Sequence, residues 1–161
     1  MDNKLVFGLT YATALGSGLM AGLFFTFSVF MMRSLDRLPP SQGIAAMQSI
    51  NTTIVTPLFL LVFVGTTVAC AVLGGVAAFA VDGPARVWLI VGCLLYLVGC
   101  FLLTGAFHIP RNDKLDGFDP TTAEAARYWA TYVREWTLGN HVRTLSCIGA
   151  LGSLVMAIRV G

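Results

Sequence analysis

Charged residues are scarce in this sequence, and their scarcity excludes an ordinary soluble domain. Only 11% of the 161 residues are charged, whereas soluble domains carry about a quarter. Hydrophobic residues make up 57% of the chain, and its mean hydropathy is +0.80. We therefore expect an integral membrane protein that is surrounded by a lipid bilayer.

Clusters of basic residues are also missing. The 10 Lys and Arg residues nearly balance the 8 Asp and Glu residues, which leaves a net charge of +2 without a basic run. Nucleic-acid binding depends on clustered Lys and Arg that neutralise phosphates, so nucleic acid is excluded as a partner. The sequence also lacks an internal repeat and a charge in the middle of a span, which argues against a self-contained transporter.

Metal-ligand motifs are absent as well. The chain has no Cys-x-x-Cys or His-x-x-Glu motif and only two histidines, His108 and His141. All four cysteines lie in apolar stretches, where a thiol behaves as a small hydrophobic group. We predict no metal and no cofactor. The alternative is a metal or haem held by the two histidines, with Asp113 as a third ligand.

What the sequence does contain is four long apolar stretches. They cover residues of about 5–32, 52–81, 87–107 and 140–158, and a helix needs about 20 apolar residues to cross a bilayer. We predict an all-α fold, with residues 1–161 forming a single domain that is a four-helix transmembrane bundle. Its oligomeric state stays open, and a homo-oligomer is one option.

Short amphipathic helices are predicted in the first and third loops. In the first loop, Ser41 is a candidate N-cap for a helix that leads into the second span. In the third loop, Thr121 or Thr122 is the candidate cap of a helix running toward Trp136. Pro57 is expected to be a tolerated kink inside the second span.

Three polar clusters, residues 47–51, 108–113 and 136–144, lie at the ends of these spans. Because the chain reverses direction at each span, all three are expected on the same side of the membrane. Seven Lys or Arg residues lie on that side against three on the other, and positive charge favours the cytoplasm. We predict cytoplasmic polar clusters and external termini, in the inner (plasma) membrane of a bacterium.

Four sequence elements in a fixed order suggest a family. They are residues 24–31 (FFTFSVFM), Met47-Gln48-x-Ile50-Asn51, Pro110-x-Asn112-x-x-Leu115 and Trp136-x-x-x-Asn140-x-x-Arg143-Thr144. Together they resemble the anthrone oxygenase-like family of membrane proteins. The third element of that family usually begins with Asn where this chain has His108.

The resemblance implies a cofactor-independent oxygenase for a hydrophobic, anthrone-like polycyclic substrate. Members with assigned chemistry oxidise anthrones to anthraquinones with molecular oxygen, without metal or flavin. The alternative is a non-catalytic membrane protein that acts as a scaffold or partner subunit. A closed hydrogen-bonded knot without a cavity would favour the scaffold, and an aromatic-lined cavity that opens toward the lipid would favour the enzyme.

Oxygenation of this kind needs a base, donors for a developing oxyanion and an apolar pocket. Either His108 or His141 could be the base. Arg143 is costly to keep at the membrane boundary, so it is a third catalytic candidate, paired with Asp113 or with an oxyanion of the substrate. The candidate substrate-binding residues are polar or aromatic side chains at the same end: Ser28, Gln48, Asn51, Asn112, Trp136 and Asn140.

Overall fold

Five helices make up nearly all of residues 4–161, the part of the chain that the computed structural model describes. The single domain predicted for residues 1–161 thus includes three residues outside the described part. No strand occurs within the described part. The helices are α1 (Lys4–Asp36), α2 (Pro40–Thr53), α3 (Pro57–Ala80), α4 (Pro84–Asp116) and α5 (Ala123–Val160).

Four of these helices, α1, α3, α4 and α5, are long and apolar enough to cross a membrane. The predicted all-α class and the count of four spans are therefore confirmed. The helices pack in a ring in the order α1, α5, α4 and α3, and α3 closes the ring against α1. The short helix α2 lies in the first loop and packs on α5 and on the end of α4.

Helix lengths explain why the bundle extends beyond the membrane at one end. Helix α3 has 24 residues, but α1 and α4 have 33 each and α5 has 38. At about 1.5 Å per residue, 33 residues exceed the roughly 30 Å hydrocarbon layer by a wide margin. The C-terminal ends of α1 and α4, the N-terminal half of α5 and helix α2 therefore form a cap at the end that carries the polar clusters.

The bundle and the cap have separate apolar cores. Met20, Leu73, Tyr96 and Leu154 are fully buried between the four long helices. A second cluster, which includes Ile44, Leu115, Trp129 and Tyr132, fills the cap. The region between the two cores contains the three polar clusters.

Small residues bring α4 and α5 close together. A Cβ atom added to Gly99 would collide with the side chain of Ser146, and one added to Gly92 would lie 3.2 Å from the carbonyl oxygen of Ala150. Such contacts are typical of membrane helices, which pack through small side chains. At the other end, Gly83 makes the turn from α3 to α4 with a φ of 75°, a conformation that favours glycine.

Pro57 marks the start of a new helix; it is not the kink in a continuous helix that the sequence predicts. Helix α2 ends at Thr53 and α3 begins at Pro57, with Thr56 extended between them (φ −93°, ψ 158°). The Thr56 hydroxyl accepts a hydrogen bond of 3.2 Å from the amide of Phe59 and so caps α3. The physical reason is that proline restricts the preceding residue to extended conformations and is favoured at the first helical position.

The third-loop helix and the fourth span are one continuous helix. Helix α5 starts after Thr122, whose hydroxyl accepts a hydrogen bond of 3.2 Å from the amide of Ala125. The helix then runs without interruption through Gly139 to Val160. In the first loop, Pro39 takes the N-cap position predicted for Ser41, and Pro40 is the first residue of α2.

Candidate functional site

A cavity of about 410 Å³ lies between the bundle and the cap. Its volume is in the range of roughly 300–1,000 Å³ that small-molecule sites occupy. Most of the lining is apolar or aromatic, and a small group of polar side chains faces the same space. The main lining residues are Phe24, Phe27, Met47, Ile50, Asn51, Phe59, Phe63, Thr104, His108, Asn112, Asp113, Asp116, Trp136 and Arg143.

The cavity opens on the lateral surface of the bundle. The break between α2 and α3 forms part of its wall, and Val55 within that break is 58% exposed. Leu60 of α3 and Ile109 of α4 also line the cavity and are exposed on the outer surface. These exposed residues give the mouth an apolar side on the lateral surface, whereas the exposed carboxylates of Asp113 and Asp116 line the cavity toward the cap.

Arg143 is a buried cation without an anionic partner. Its side chain is 5% exposed and lines the cavity. Nη2 donates to Asn140 Oδ1 at 2.8 Å and Nη1 donates to Thr104 Oγ1 at 3.3 Å, whereas Nε has no partner. Asp113, the partner predicted from the sequence, lines the same cavity but makes no ion pair with Arg143.

Aromatic rings hold the guanidinium in place. Its central carbon lies 4.2 Å from the centroid of the Phe24 ring and 5.0 Å from that of Trp136. Rings at such distances attract a cation through their quadrupoles, and the attraction grows when water is excluded. The site therefore keeps a positive charge at the cavity wall, and the one N–H without a hydrogen bond among the described residues, that of Nε, is itself buried.

His108 lines the same cavity and has one ring nitrogen that makes no hydrogen bond within the described residues. The residue is 1% exposed, and its Nδ1 lies 3.4 Å from the carbonyl oxygen of Leu103. A carbonyl there favours the tautomer with the proton on Nδ1, which leaves Nε2 as an acceptor. Nε2 makes no hydrogen bond that meets the usual geometry in the described chain, but it is fully buried and the backbone of Trp136 lies close to the ring. The ring stands edge-on to Trp136, with centroids 5.2 Å apart.

Local structure explains the position of His108. Helix α4 widens into a π-helical turn over Thr104–His108, just before Pro110, which has no N–H for the preceding turn. Such turns are frequent at functional sites. Gly139 of α5 makes the necessary room, because a Cβ atom there would lie 2.6 Å from the Phe107 ring and 3.0 Å from the His108 ring.

Asn112 offers a donor whose orientation is defined by its neighbours. Its Oδ1 accepts hydrogen bonds from the Tyr132 hydroxyl at 2.9 Å and from Trp136 Nε1 at 3.0 Å. The indole N–H can only donate, so the atom that faces it must be the amide oxygen. Asn112 lines the cavity, and its amide NH₂ group is the part that these two bonds leave available.

Ser28 and Asn140 belong to a hydrogen-bonded knot outside the cavity. Asn140 Nδ2 donates to the Phe24 carbonyl and to Ser28 Oγ, both at 2.7 Å. Thr144 donates to the Asn140 carbonyl, so the 3.0 Å contact between Ser28 and Thr144 has Ser28 as the donor. The knot joins α1 to α5 and holds Arg143 through the remaining Asn140 oxygen.

Gln48 also has a bridging position. Its amide nitrogen donates to the carbonyls of Leu115 at 2.9 Å and Phe118 at 3.0 Å, which ties α2 to the end of α4. Asn51, one turn further along α2, lines the cavity and donates to Asp116 Oδ1 at 3.2 Å. Of the nine candidate site residues, five therefore line the cavity: Asn51, His108, Asn112, Trp136 and Arg143.

His141 is not brought to this cavity. It is exposed and lines a different groove, between α1 and α5. Successive residues of a helix project about 100° apart, so His141 points away from the face that carries Asn140. Because the two histidines line different spaces, they do not form the shared metal or haem site that was the alternative. No group of three or more His, Cys, Asp or Glu side chains suited to a metal occurs in residues 4–161.

Sequence reasoning missed the aromatic wall and the mouth. Phe24, Phe27, Phe59 and Phe63 line the cavity, but phenylalanine in an apolar span carries no signal that separates a wall from packing. The mouth did have a signal. Thr56 followed by Pro57 is the pattern of a helix start, with an N-cap hydroxyl and a proline at the first position.

The comparison with known families identifies the chain. The family model described as anthrone oxygenase matches residues 59–153, which include most of α3, all of α4 and α5 up to residue 153. The matched region contains His108, Asn112, Trp136 and Arg143. No curated protein and no solved structure matches the chain. Because the family model covers more than half of its residues, the chain belongs to the anthrone oxygenase family.

Proposed function

We propose that this protein is a cofactor-independent oxygenase that acts on a hydrophobic, enolisable polycyclic ketone of the anthrone type. The observation that carries the proposal is Arg143, a buried cation in an apolar cavity without a carboxylate partner. A charge held in this way is costly unless something pairs with it. An oxyanion formed on the substrate is the partner that completes the site.

The chemistry requires no group beyond the side chains present. A base removes a proton from the ring methylene, and the resulting carbanion is stabilised as a phenolate-like anion. This electron-rich anion transfers an electron to O₂, and the two radicals combine to form a C–O bond and a peroxide. Loss of the second methylene proton and cleavage of the O–O bond give the new carbonyl, so that CH₂ and O₂ become C=O and H₂O.

His108 is the base in this scheme. Its Nε2 has no partner and the residue lines the cavity. The ring is held by the Leu103 carbonyl on one side and by Trp136 and Phe107 around it. Nε2 has almost no accessible surface in this structure, so the proposal requires the ring or its neighbours to shift when substrate binds, as catalytic hydrogen bonds often tighten only in the substrate complex.

Arg143 and Asn112 stabilise the anion. The guanidinium of Arg143 and the free amide of Asn112 are donors at the wall of a largely apolar cavity. Donors that are fixed before the reaction lower the energy of a developing charge most effectively where water is excluded. Trp136 and the neighbouring phenylalanines supply flat faces for a polycyclic substrate.

The test is anthrone turnover by the purified protein in nanodiscs, measured as O₂ uptake above the uncatalysed rate. We expect His108→Gln and Arg143→Met each to lower kcat by about 10²-fold or more, the usual contribution of a base or an oxyanion donor. His141→Gln, a matched control outside the cavity, should stay within about twofold of the native rate.

Two results would reject the proposal. One is native turnover by both cavity variants. The other is a native protein that is inert toward anthrones and other enolisable polycyclic ketones but co-purifies with a fixed partner, which would identify a scaffold. Size-exclusion chromatography and circular dichroism of each variant show whether a lost rate reflects the site or the fold.

A further inference from the structure

A second cavity, of about 440 Å³, lies in a groove between α1 and α5 on the outer side of the bundle. Residues 28–36 of α1 form one wall and residues 133–141 of α5 form the other. It shares no lining residue with the cavity described above. The oxygenase proposal leaves this groove without a role.

The groove contains positively charged side chains that have no partner among the described residues. Arg33, Arg134 and His141 line it and are all exposed. None of the three makes a hydrogen bond or an ion pair within residues 4–161, where the ion pair that does form joins Arg111 and Glu135. One carboxylate, Asp36, also lines the groove. The two arginines thus leave an excess of positive charge even when the histidine is neutral.

The groove lies at the membrane boundary. Arg33 is the first charged residue after the uncharged stretch 5–32 of α1. Arg134 precedes the uncharged stretch 144–158 of α5, with Glu135 and the buried Arg143 between them. Above the charges, along the same two helices, the surface is apolar: Val29 is 49%, Leu138 66% and Leu145 69% exposed. A molecule that fits this surface has an anionic head and a hydrocarbon tail.

We propose that this groove binds one anionic phospholipid. Its phosphate lies between Arg33 and Arg134, with His141 beside it, and an acyl chain follows the apolar surface past Leu138. Arginine suits phosphate because its planar fork can donate two parallel hydrogen bonds. Basic pockets between membrane helices are a known basis for recognition of acidic headgroups. The continuous apolar surface favours a lipid over a soluble phosphate, and the charge excess favours an anionic lipid over a zwitterionic one.

Native mass spectrometry of the detergent-solubilised protein, titrated with phosphatidylglycerol, tests the proposal. The double substitution Arg33→Gln with Arg134→Gln should weaken binding of the first lipid by about tenfold or more. The matched control is Arg37→Gln with Arg127→Gln, which removes the same charge from the same end but outside the groove. The control should change binding by less than about twofold.

Two further titrations identify the source of the phosphate. Phosphatidylethanolamine should bind at least tenfold more weakly than phosphatidylglycerol, and glycerol phosphate should not compete at equal concentration. Equal weakening in both double variants would mean diffuse attraction to the end of the bundle and would overturn the site. Equal binding of the two lipids, or full competition by glycerol phosphate, would overturn the anionic lipid as its occupant. Thermal stabilisation by phosphatidylglycerol, present in the control and lost in the groove variant, is an independent readout.

Discussion

At the scale of single residues, the polar side chains near the cavity fall into two groups: those proposed to act on substrate and those that hydrogen-bond neighbouring helices. Within the described residues, Arg143 and His108 each have a buried nitrogen without a hydrogen-bond partner, whereas Asn140 and Gln48 use their amides on backbone or side-chain partners. The distinction matters because unsatisfied buried groups are costly and are rarely kept without a function. The oxygenase proposal therefore assigns chemistry to the first group alone.

Asn112→Asp tests the donor role of that amide. A carboxylate can still accept the hydrogen bonds of Tyr132 and Trp136, but it has no N–H to offer an oxyanion and would pair with the nearby Arg143. We expect kcat for anthrone oxidation to fall by about 10²-fold. Asn51→Asp, on the other wall of the cavity, is the control. An equal loss of kcat in this variant would mean that any added negative charge in the cavity slows turnover, and would contradict a specific donor role for Asn112.

Gly139 is predicted to position the base. Gly139→Ala would push the Phe107 and His108 rings away from α5, because the new methyl group would overlap them. We expect about tenfold slower turnover with little change in KM, since small displacements of a catalytic group are costly. Gly152→Ala is the control, because a Cβ atom at that position of α5 meets nothing within 4 Å. Equal rates in the two variants would contradict the positioning role.

At the scale of helices, the knot of Ser28, Asn140 and Thr144 joins α1 to α5 just behind the catalytic wall. Ser28→Ala removes one acceptor and one donor from this knot. Hydrogen bonds between membrane helices contribute about 0.6 kcal/mol on average. Asn140→Ala removes more, including the Arg143 contact, and leaves buried partners unpaired at about 1–3 kcal/mol.

The expected result is a graded loss of stability that separates the knot from the chemistry. In thermal unfolding monitored in nanodiscs, Ser28→Ala should be slightly destabilised and should retain most of its turnover. Asn140→Ala should lose both stability and turnover, because Arg143 loses its support. A Ser28→Ala protein with native stability and no activity would instead place Ser28 among the groups that act on substrate.

The sequence predicts the helices well and their junctions less well. The spacing of Trp136, Asn140 and Arg143 by four and three residues puts them on one side of a helix, and all three are buried on α5. The sequence predicts a kink at Pro57, whereas the structure has a break between two helices. A proline inside an apolar run is compatible with either, and the extended conformation of Thr56 decides for the break. The partners of Gln48 and Ser28 depend on contacts between helices, which no local pattern specifies.

The choice between the histidines shows the same limit. His108 and His141 are equal candidates by residue type and by membrane side, yet one is buried at the cavity and the other is exposed in a separate groove. The resemblance to the family predicts Asn at position 108, where this chain has the histidine that is proposed as the base. Turnover of His108→Asn can be compared with that of the native protein. Native turnover in the variant would mean that another residue is the base.

At the scale of the whole molecule, the cap gives the bundle a polar end whose side of the membrane is still a prediction. The seven-to-three bias in Lys and Arg places the cap in the cytoplasm and the turn at Gly83 outside. Single cysteines at Arg37→Cys and Asp82→Cys can be labelled in intact cells with a membrane-impermeant maleimide. The four native cysteines are fully buried and should give little background.

We expect Asp82→Cys to react in intact cells and Arg37→Cys to react only after the membrane is opened. The reverse pattern would invert the orientation without affecting the proposed site. Reaction of both in intact cells would be incompatible with four spans, since the two positions lie on opposite ends of the bundle.

The lateral mouth determines which substrate concentration governs the rate. Under the proposed function, a substrate that enters past Val55, Leu60 and Ile109 comes from the hydrocarbon phase, so the relevant concentration is moles of substrate per mole of lipid. Adding empty lipid vesicles or detergent at constant total substrate should then slow turnover by surface dilution. An apparent KM for this protein has meaning only when the amount of lipid is stated with it.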